Sequence, residues 1–399
     1  MHVRQVDFAN RPVSDAELHR RTQAILHGMA REQLDALVVY GSTDDLGGYV
    51  RYLIDLPAGG YGTAVILTAD GDVVVISHGA IDGDVELPAG HGGLMRGASR
   101  IVSFPYFPTA SYTAQTPGRL AARALARLRR GRIGLAGRGW MPSAFEAALA
   151  DELPGATLVD ASEVIDRVKA IKSDEEIDLV VECAGIQDRA MAAAMAAIAP
   201  GVRQRDIAEV ARRACIAEGA EAGIVLVGSG PAGTGWSLSP RHGQNRVVED
   251  GDMVAILIEM DGPGGIFAEL GRTAILGDVP DAVAREYRLA DEAQRFTLDL
   301  LTPGASCSNV WAEYNAYLTG IGRPVEQRVH CHGQGVDLVE RPIVRFDEPM
   351  EIEAGMNLTC HPTWVHDGIF SWTCDNYVIS SRGAGQSVHR TPQGIHVLA

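Results

Sequence analysis

The sequence predicts an α+β protein with an α/β domain over residues 1–165 followed, over residues 166–399, by a pseudo-twofold domain with helices outside a curved antiparallel sheet. Three observations lead to this prediction. The chain, at 399 residues, is long enough for two hydrophobic cores. Helical and strand-like periodicities alternate in its first part. Its second part repeats one pattern of two helices followed by long strands.

The first domain is predicted from alternating apolar patterns. Residues 15–34 have helical spacing, with Asp15 as the predicted cap. The expected strands are short β-rich runs bounded by glycine or aspartate, and they cover residues 35–41, 62–68, 71–77 and 131–137. The second and third of these runs flank Ala69-Asp70-Gly71, which predicts a hairpin.

The second domain is predicted from an internal repeat. After Lys172-Ser173 an acid-rich start indicates a helix over residues 174–198, then a Pro-Gly break and a second helix to about residue 218. About 103 residues later the pattern recurs, with a helix over residues 282–301, Thr302-Pro303-Gly304 and a helix to about residue 319. Strands follow each pair of helices, so we expect a site on the concave face of the sheet, between the two halves.

Composition excludes several classes of partner. A formal charge of −16 argues against nucleic acid and anionic membrane surfaces, because a phosphate backbone attracts clustered cations. The N-terminal residues 1–21 contain no apolar core of a signal peptide, and no stretch reaches the roughly 18 apolar residues of a membrane span. Six scattered cysteines without CxxC spacing indicate neither a disulfide framework nor a zinc ribbon. We therefore expect a cytoplasmic protein with a small-molecule substrate.

Four polar side chains stand in otherwise apolar strands. Glu269 follows a predicted turn over residues 261–265 and alternates to the face opposite Arg272, while His332, His361 and Asp375 lie in or at the ends of three further strands. A buried acid lowers stability unless it is paired or bound to a metal. Two imidazoles and two carboxylates suit Zn, Mn or Fe, although a lone strand histidine is more often a hydrogen-bonded core residue.

Five motifs, in order, resemble those of the creatinase, prolidase and aminopeptidase P superfamily, and the resemblance covers the whole chain. The motifs are RHGQNRVVEDGD with His242, GIFAELGRTAILG, HGQGVDLVERP, AGMNLTCHP and CDNYVIS. The resemblance implies an N-terminal domain like that of creatinase and a C-terminal domain with the pita-bread fold. By the same resemblance the protein is expected to be a homodimer.

The resemblance also implies an altered metal site. Metal-dependent members bind two metals with Asp, Asp, His, Glu and Glu, and the first Asp falls here on Ile258, which cannot coordinate. The next three positions fall on Glu269, His332 and His361, and the last falls on Cys374 or Asp375. We therefore expect one divalent metal, Fe, Mn or Zn, bound by Glu269, His332, His361 and Asp375, with a metal-free site as the alternative.

Three further residues are candidates for catalysis. His242 matches the histidine that does acid–base work in creatinase-like members, for which an imidazole pKa near neutrality is suited. Glu340 of the Glu-x-Pro motif is expected to orient substrate or to act as a second base. His330, two residues before His332 on the same strand face, is expected to support the ligands.

The departures from the family pattern narrow the expected chemistry. Gly271 stands where creatinase has a glutamate, which argues against creatine hydrolysis, and Val339 replaces a histidine of the Xaa-Pro peptidases. We expect an enzyme that acts on a small polar or zwitterionic substrate by C–N hydrolysis or by β-elimination. The alternatives are a metal-free hydrolase that uses His242 and His361, and a non-catalytic binding protein on the same fold.

Overall fold

A computed structural model describes residues 7–42, 48–88, 90 and 93–398 of the chain. The chain folds into two compact units, Met1–Lys169 and Ala170–Ala399. The boundary predicted from the sequence, between residues 165 and 166, falls inside the helix Ser162–Ala170. Residues 1–6 of the polar N-terminal stretch lie outside the described residues.

The first unit is built on a seven-stranded mixed sheet. Its helices are α1 (Asp15–Arg31), α2 (Tyr49–Ile54), α3 (Thr116–Ala124), α4 (Ser143–Glu152) and α5 (Ser162–Ala170). Its strands are β1 (Ala36–Gly41), β2 (Thr63–Thr68), β3 (Val73–His78), β4 (Gly83–Glu86), β5 (Arg100–Phe104), β6 (Arg132–Ala136) and β7 (Thr157–Asp160). Their order in the sheet is β4-β5-β3-β2-β1-β6-β7. Side chains of β1, β2, β3 and β6 pack with α3 and α4 in one core.

The local predictions for this unit hold except for the helix cap. β2 and β3 form the predicted antiparallel hairpin, and Gly71 in its turn adopts a φ of 92°, a conformation that glycine reaches without steric strain. Helix α1 is capped by Ser14, whose hydroxyl accepts a hydrogen bond from the backbone N of Glu17 at 3.0 Å. Asp15 is instead the first helical residue, where its negative charge interacts favourably with the positive end of the helix dipole.

The second unit contains two pairs of helices and three sheets, whose strands are antiparallel except for one parallel pair. Its helices are α6 (Asp174–Ala196), α7 (Gln204–Ala217), α8 (Asp281–Leu300) and α9 (Cys307–Gly320). Its strands are β8 (Gly223–Pro231), β9 (Asp252–Met260), β10 (Leu270–Leu276), β11 (Cys331–Gly333), β12 (Glu340–Ile343), β13 (Asn357–Cys360), β14 (Thr363–His366), β15 (Ile369–Trp372), β16 (Asp375–Ser380), β17 (Gly383–Ser387) and β18 (Ile395–Leu398). Among the described helices of the chain, none combines the length and apolar character that a membrane span requires.

The predicted repeat of the second unit is confirmed. Helices α6 and α7 precede β8, β9 and β10, and helices α8 and α9 precede β11, β12 and β13. Helix α6 begins with a capping box, in which the side chains of Ser173 and Glu176 each bond to the other's backbone N–H. The apolar faces of α6 and α7 pack against β8, β9 and β10, which explains the strong helical periodicity of this segment.

The two larger sheets of the second unit meet beside Gly271. One sheet has the order β18-β10-β9-β8 and the other β12-β11-β13-β16-β17. The backbone N of Gly271 in β10 donates to the carbonyl of Cys374 at 3.1 Å, immediately before β16. This junction brings the start of β10 next to β13 and β16, and so places residues from separate strands around one point.

Candidate metal site

Three ligand-type side chains meet at the sheet junction. Atoms of Glu269, His332 and His361 that could each bind a metal lie within 4.8 Å of one another. Glu269 directly precedes β10, His332 lies in β11, and His361 directly follows β13. The sequence-based expectation that residue 269 approaches both imidazoles therefore agrees with the geometry, although Glu269 lies at the start of a strand and not in its middle.

Strand register explains why the two imidazoles are neighbours. β11 and β13 are antiparallel, with His332 opposite Thr359, so His361, two residues beyond Thr359, projects on the same face as His332. The ring centroids of His332 and His361 are 5.2 Å apart, and the rings are inclined by 63°. The Nε2 atom of His332 is 3.8 Å from Oε2 of Glu269.

A backbone hydrogen bond fixes the tautomer of His332. Its Nδ1 lies 2.9 Å from the carbonyl oxygen of Gly333. Because a carbonyl can only accept, Nδ1 carries the proton, and Nε2 presents a lone pair towards Glu269. This is the arrangement in which a histidine binds a metal through Nε2 while its other nitrogen is held by the protein.

The carboxylate of Glu269 is buried and incompletely satisfied. Its residue is 5% exposed, and Sγ of Cys374 lies 3.8 Å from its backbone carbonyl oxygen, while Oγ1 of Thr359 lies 3.5 Å from that sulfur. Oε2 accepts no hydrogen bond from a described residue. Burial raises the pKa of Glu269, and the neighbouring His332 opposes that rise. An acceptor left without a partner in the interior is a feature that a cation would correct.

Burial also keeps both imidazoles neutral. Desolvation, followed by the proximity of His361, lowers the pKa of His332 to about 4, against the opposing effect of Glu269. Desolvation and then the charge of Arg328 lower the pKa of His361 to about 4. Neutral imidazole is the form that binds metals, so the residues present fit one divalent cation with two nitrogen ligands and one carboxylate.

Asp375 does not join this cluster, which corrects the four-ligand set expected from the sequence. Its carboxylate accepts hydrogen bonds from Nη2 of Arg272 at 2.6 Å and from Nε2 of Gln393 at 2.8 Å. Strand alternation is the physical reason, because Asp375 lies opposite Cys360 on the far face of the sheet, whereas Cys374 points towards Glu269. The ambiguity between positions 374 and 375 is thus resolved in favour of Cys374 as the nearer side chain.

His330 packs behind the cluster and does not support the ligands by hydrogen bonding. Its ring is fully buried and stacks on Tyr314, with centroids 3.6 Å apart and planes inclined by 6°. Neither ring nitrogen has a hydrogen-bond partner among the described residues, and burial lowers the pKa of this imidazole well below its usual value. The structure therefore gives His330 a packing role in place of the expected supporting role.

Two further sequence candidates also lie outside the cluster. Glu340 in β12 accepts a hydrogen bond from Nζ of Lys172 at 2.7 Å, and both side chains are almost fully buried. Such an ion pair holds Glu340 as a structural carboxylate and not as a second base. His242 is exposed in the short turn Arg241–Gly243, directly after Pro240, which lines the cleft above the cluster.

Sequence reasoning missed an amide network that positions Glu269. The backbone N of Glu269 donates to Oδ1 of Asn376 at 2.6 Å, and Nδ2 of Asn376 donates to Oε1 of Gln334 at 2.9 Å. Nε2 of Gln334 donates in turn to Oε1 of Glu259 at 3.0 Å, so the network reaches a carboxylate that is not part of the cluster. Two polar residues in the sequence could have indicated this network: Gln334, between the glycines of HGQG, and Asn376, which follows Asp375.

The residue at the position of the family's first Asp is apolar, and its surroundings in the structure are apolar as well. Ile258 in β9 is fully buried and pairs with Leu270 of β10. It lies within the apolar core formed with α6 and α7. No fourth ligand is added from this strand in the part of the chain that the structure describes.

Comparisons with known proteins agree on one family. The profile of metallopeptidase family M24 matches residues 178–390, and that of the creatinase/prolidase N-terminal domain matches residues 21–171. A probable dipeptidase PepE of Mycobacterium tuberculosis is 29% identical over 262 residues, covering 65% of this chain and 68% of the relative. A creatinase of a Bacillus species is 29% identical over 231 residues, 53% of this chain and 54% of the relative.

Solved structures extend the likeness to nearly the whole chain. The dipeptidase PepE of Mycobacterium ulcerans superposes with a TM-score of 0.75 at 25% identity, over 97% of this chain and 99% of that one. A prolidase of Thermococcus sibiricus superposes with a TM-score of 0.77 at 18% identity, over 97% and 100%, which shows the shared fold. These matches confirm the predicted fold class and show that the chain belongs to metallopeptidase family M24.

Proposed function

We propose that the protein is a hydrolase of a C–N bond in a small substrate of about dipeptide size, and that it uses one divalent cation. The observation that carries this proposal is the meeting of Glu269, His332 and His361 within 4.8 Å at the sheet junction. The relatives support the reaction class, because they are named as dipeptidases, as Xaa-Pro dipeptidases and as creatinase.

The chain's own residues account for how such a site is held. The proton on Nδ1 of His332 stays bonded to the carbonyl of Gly333, which keeps Nε2 available. Asn376 accepts a hydrogen bond from the backbone N of Glu269, and Cys374 lies beside the backbone carbonyl of the same residue, so the position of Glu269 is fixed on both sides. A divalent cation bound there would supply positive charge that polarises a substrate carbonyl and makes water a stronger nucleophile.

The site opens into a cleft that suits a small substrate. The cleft has a volume of about 400 Å³, and both Glu269 and His361 belong to its lining. Ligand pockets of about 300–1,000 Å³ are typical of small-molecule sites. Apolar side chains form most of its wall, so a substrate would displace water from around the cluster and strengthen the electrostatic interactions there.

The other expectations have less support. A metal-free reaction by His242 and His361 requires both imidazoles at the substrate, yet His242 lies on an exposed turn and is not part of the described cleft lining. A purely binding protein has no need of an unsatisfied buried carboxylate beside two neutral imidazoles. No described contact favours β-elimination over hydrolysis.

Metal content and turnover test the proposal together. Purified protein is reconstituted with Mn²⁺, Zn²⁺ or Fe²⁺, its metal content is measured by mass spectrometry, and amine release is followed with dipeptides that carry or lack proline at the second position. We expect about one metal per chain, and turnover of at least one dipeptide that chelation abolishes. Two metals per chain, or turnover that survives complete chelation, would contradict the proposal.

A matched pair of variants identifies the ligands. His332→Ala removes a proposed ligand and is expected to reduce metal affinity by at least about 100-fold, since even an outer partner of a ligand contributes 10–100-fold. His330→Phe removes a neighbouring buried imidazole but preserves stacking on Tyr314, so it should retain one metal per chain. Equal loss of metal in both variants would refute the assignment of His332.

A further inference from the structure

The cleft above the proposed metal site has an aromatic wall. Phe370 and Trp372 of β15 line it, and their ring centroids are 5.9 Å apart. Trp236 packs behind Phe370 at a centroid distance of 5.6 Å. The aliphatic side chains of Leu226 in β8 and Leu257 in β9 also line the cleft and belong to the same apolar cluster as the two rings. An apolar group can therefore lie against this lining.

The orientation of Trp372 is set by the protein and presents its ring to the cleft. The indole N–H donates to Oγ1 of Thr273 at 2.9 Å, so it is not available to a ligand. The ring lies so close to Gly271 that a Cβ added there would be 2.3 Å from it. Gly271 thus permits the close approach of Trp372, and the wall gives apolar contact without a hydrogen-bond donor.

Arg328 adds the opposite chemistry to the same cleft. It is the only Lys or Arg among the described residues that line the cleft. Its side chain is 65% exposed, and Nε is 3.8 Å from Oε1 of Glu326, beyond hydrogen-bonding distance. That oxygen instead accepts from the backbone N of Arg328 at 2.7 Å. Within the described chain, the guanidinium donors are thus left for a ligand.

Arg328 places a positive charge in the cleft of a chain that is negative overall. The chain carries a formal charge of −16, and a net negative charge disfavours the approach of anions. A guanidinium offers a planar fork of donors that matches a carboxylate, and bonds of this kind are stronger than neutral ones. Arg328 shares the cleft with two aromatic rings and with Glu269 and His361, and this combination suits a molecule with both an acidic and an apolar part.

We propose that the substrate is a small carboxylate with an aromatic or aliphatic body, and that Arg328 binds its carboxylate while the body lies against Phe370 and Trp372. This inference rests on the proposed function for the position of the scissile C–N bond at Glu269, His332 and His361. It adds the chemical class of the substrate and the residue that selects it.

Binding of a matched pair of probes tests the inference without requiring turnover. 3-Phenylpropionate and its neutral amide, 3-phenylpropanamide, share one body and differ in charge. Dissociation constants are measured by calorimetry on the full chain at low salt and with EDTA, which prevents a carboxylate from binding to a metal. We expect the carboxylate to bind at least about 10-fold more tightly than the amide, the lower end of the effect of one charge-assisted contact.

Two arginine variants assign that preference. Arg328→Gln should reduce it to less than about 2-fold while the amide's affinity stays unchanged. Arg285→Gln is the control, because Arg285 on α8 is 63% exposed, lies 3.9 Å from Glu286 and is not part of the described cleft lining. It should retain the preference in full. Equal affinity for both probes in the unmodified protein, undetectable binding of both, or the same loss in both variants would overturn the inference.

Kinetics then separate this inference from the proposed function. If a dipeptide is hydrolysed, Arg328→Gln should raise KM for it at least about 10-fold and change kcat less than about 3-fold, which is the signature of lost substrate binding. A retained probe preference with no metal-dependent turnover would refute the proposed reaction and leave the carboxylate site standing. Turnover that is unaffected by Arg328→Gln would refute the carboxylate site alone.

Discussion

Replacement of Glu269 by glutamine should have opposite effects on stability without and with metal. Without metal, the wild-type carboxylate keeps a buried Oε2 that accepts no hydrogen bond from a described residue. An amide in its place carries no charge. Its N–H can donate to the lone pair on Nε2 of His332, an atom that lies 3.8 Å from Oε2 in the wild type. With metal, the same change removes the anionic ligand of the site.

The magnitudes are large enough to reverse the order of stability. Relief of a buried unsatisfied acceptor is worth about 1–3 kcal/mol, so metal-free Glu269→Gln should be more stable than the wild type by that amount. A ligand at 100 times its dissociation constant stabilises the folded state by about 2.7 kcal/mol. For a unit the size of Ala170–Ala399 this corresponds to a rise in Tm of about 5–11 °C. The variant should show almost none of this rise.

Urea unfolding followed by tryptophan fluorescence measures both effects. The wild type and Glu269→Gln are compared in EDTA and then with saturating Mn²⁺, and His330→Phe serves as a control that should keep the metal-induced stabilisation. If Glu269→Gln proves less stable than the wild type in EDTA, the account of an unsatisfied carboxylate is wrong. If Mn²⁺ stabilises both proteins equally, Glu269 is not a ligand.

Three further predictions concern the same unit, and a fourth concerns the whole chain. Asp375→Asn breaks the buried pair with Arg272 and should lower the free energy of unfolding by about 3–5 kcal/mol in urea titrations, yet leave metal stoichiometry unchanged. Gly271→Ala, whose Cβ would meet Trp372 at 2.3 Å and Cys374 at 2.8 Å, should lower it by about 1–3 kcal/mol, whereas Gly320→Ala in open space should not lower it. Burial, opposed by Arg295 and Arg272, raises the pKa of Asp291 from 3.8 to about 6, so the folded state binds a proton that the unfolded chain releases and stability falls as pH rises from about 4 to 6. Relative to Asp291→Asn, the free energy of unfolding of the wild type should therefore fall by about 1–2 kcal/mol over that range, a figure reduced because Asp291 is partly exposed. Parallel profiles of unfolding free energy against pH for the two proteins would refute this. The homodimer expected from the family resemblance predicts twice the mass of one chain by light scattering, and a monomeric mass would contradict it.

The second unit could be predicted in outline because its signals are local. The capping box at Ser173 and Glu176, the Pro-Gly breaks and the helical periodicities act within a few residues, and the helices begin and end within two residues of the predicted bounds. In the first unit β4, β5 and β7 were not predicted. These strands are short and only half-buried, so they carry no apolar run that stands out from a loop.

The candidate site was predictable as a set of residue types but not as a geometry. Glu269, His332 and His361 were named from the sequence and meet in space, whereas Asp375 was placed with them and pairs instead with Arg272. A shift of one residue along a strand moves a side chain to the other face, and the sequence does not specify which of two adjacent residues, Cys374 or Asp375, points inward.

The sequence by itself determined the two pairs of helices in the second unit with the strands that follow them, the M24 family and the presence of one carboxylate and two imidazoles at ligand positions. These features depend on local pattern and on residue identity. Only the tertiary structure decided which side chains meet. Strand register turned Asp375 towards Arg272, packing placed His330 on Tyr314, and a buried ammonium of Lys172 engaged Glu340. The cleft that joins Arg328 to Trp372 also depends on tertiary structure, because its walls come from segments far apart in the chain, brought together by burial of apolar surface.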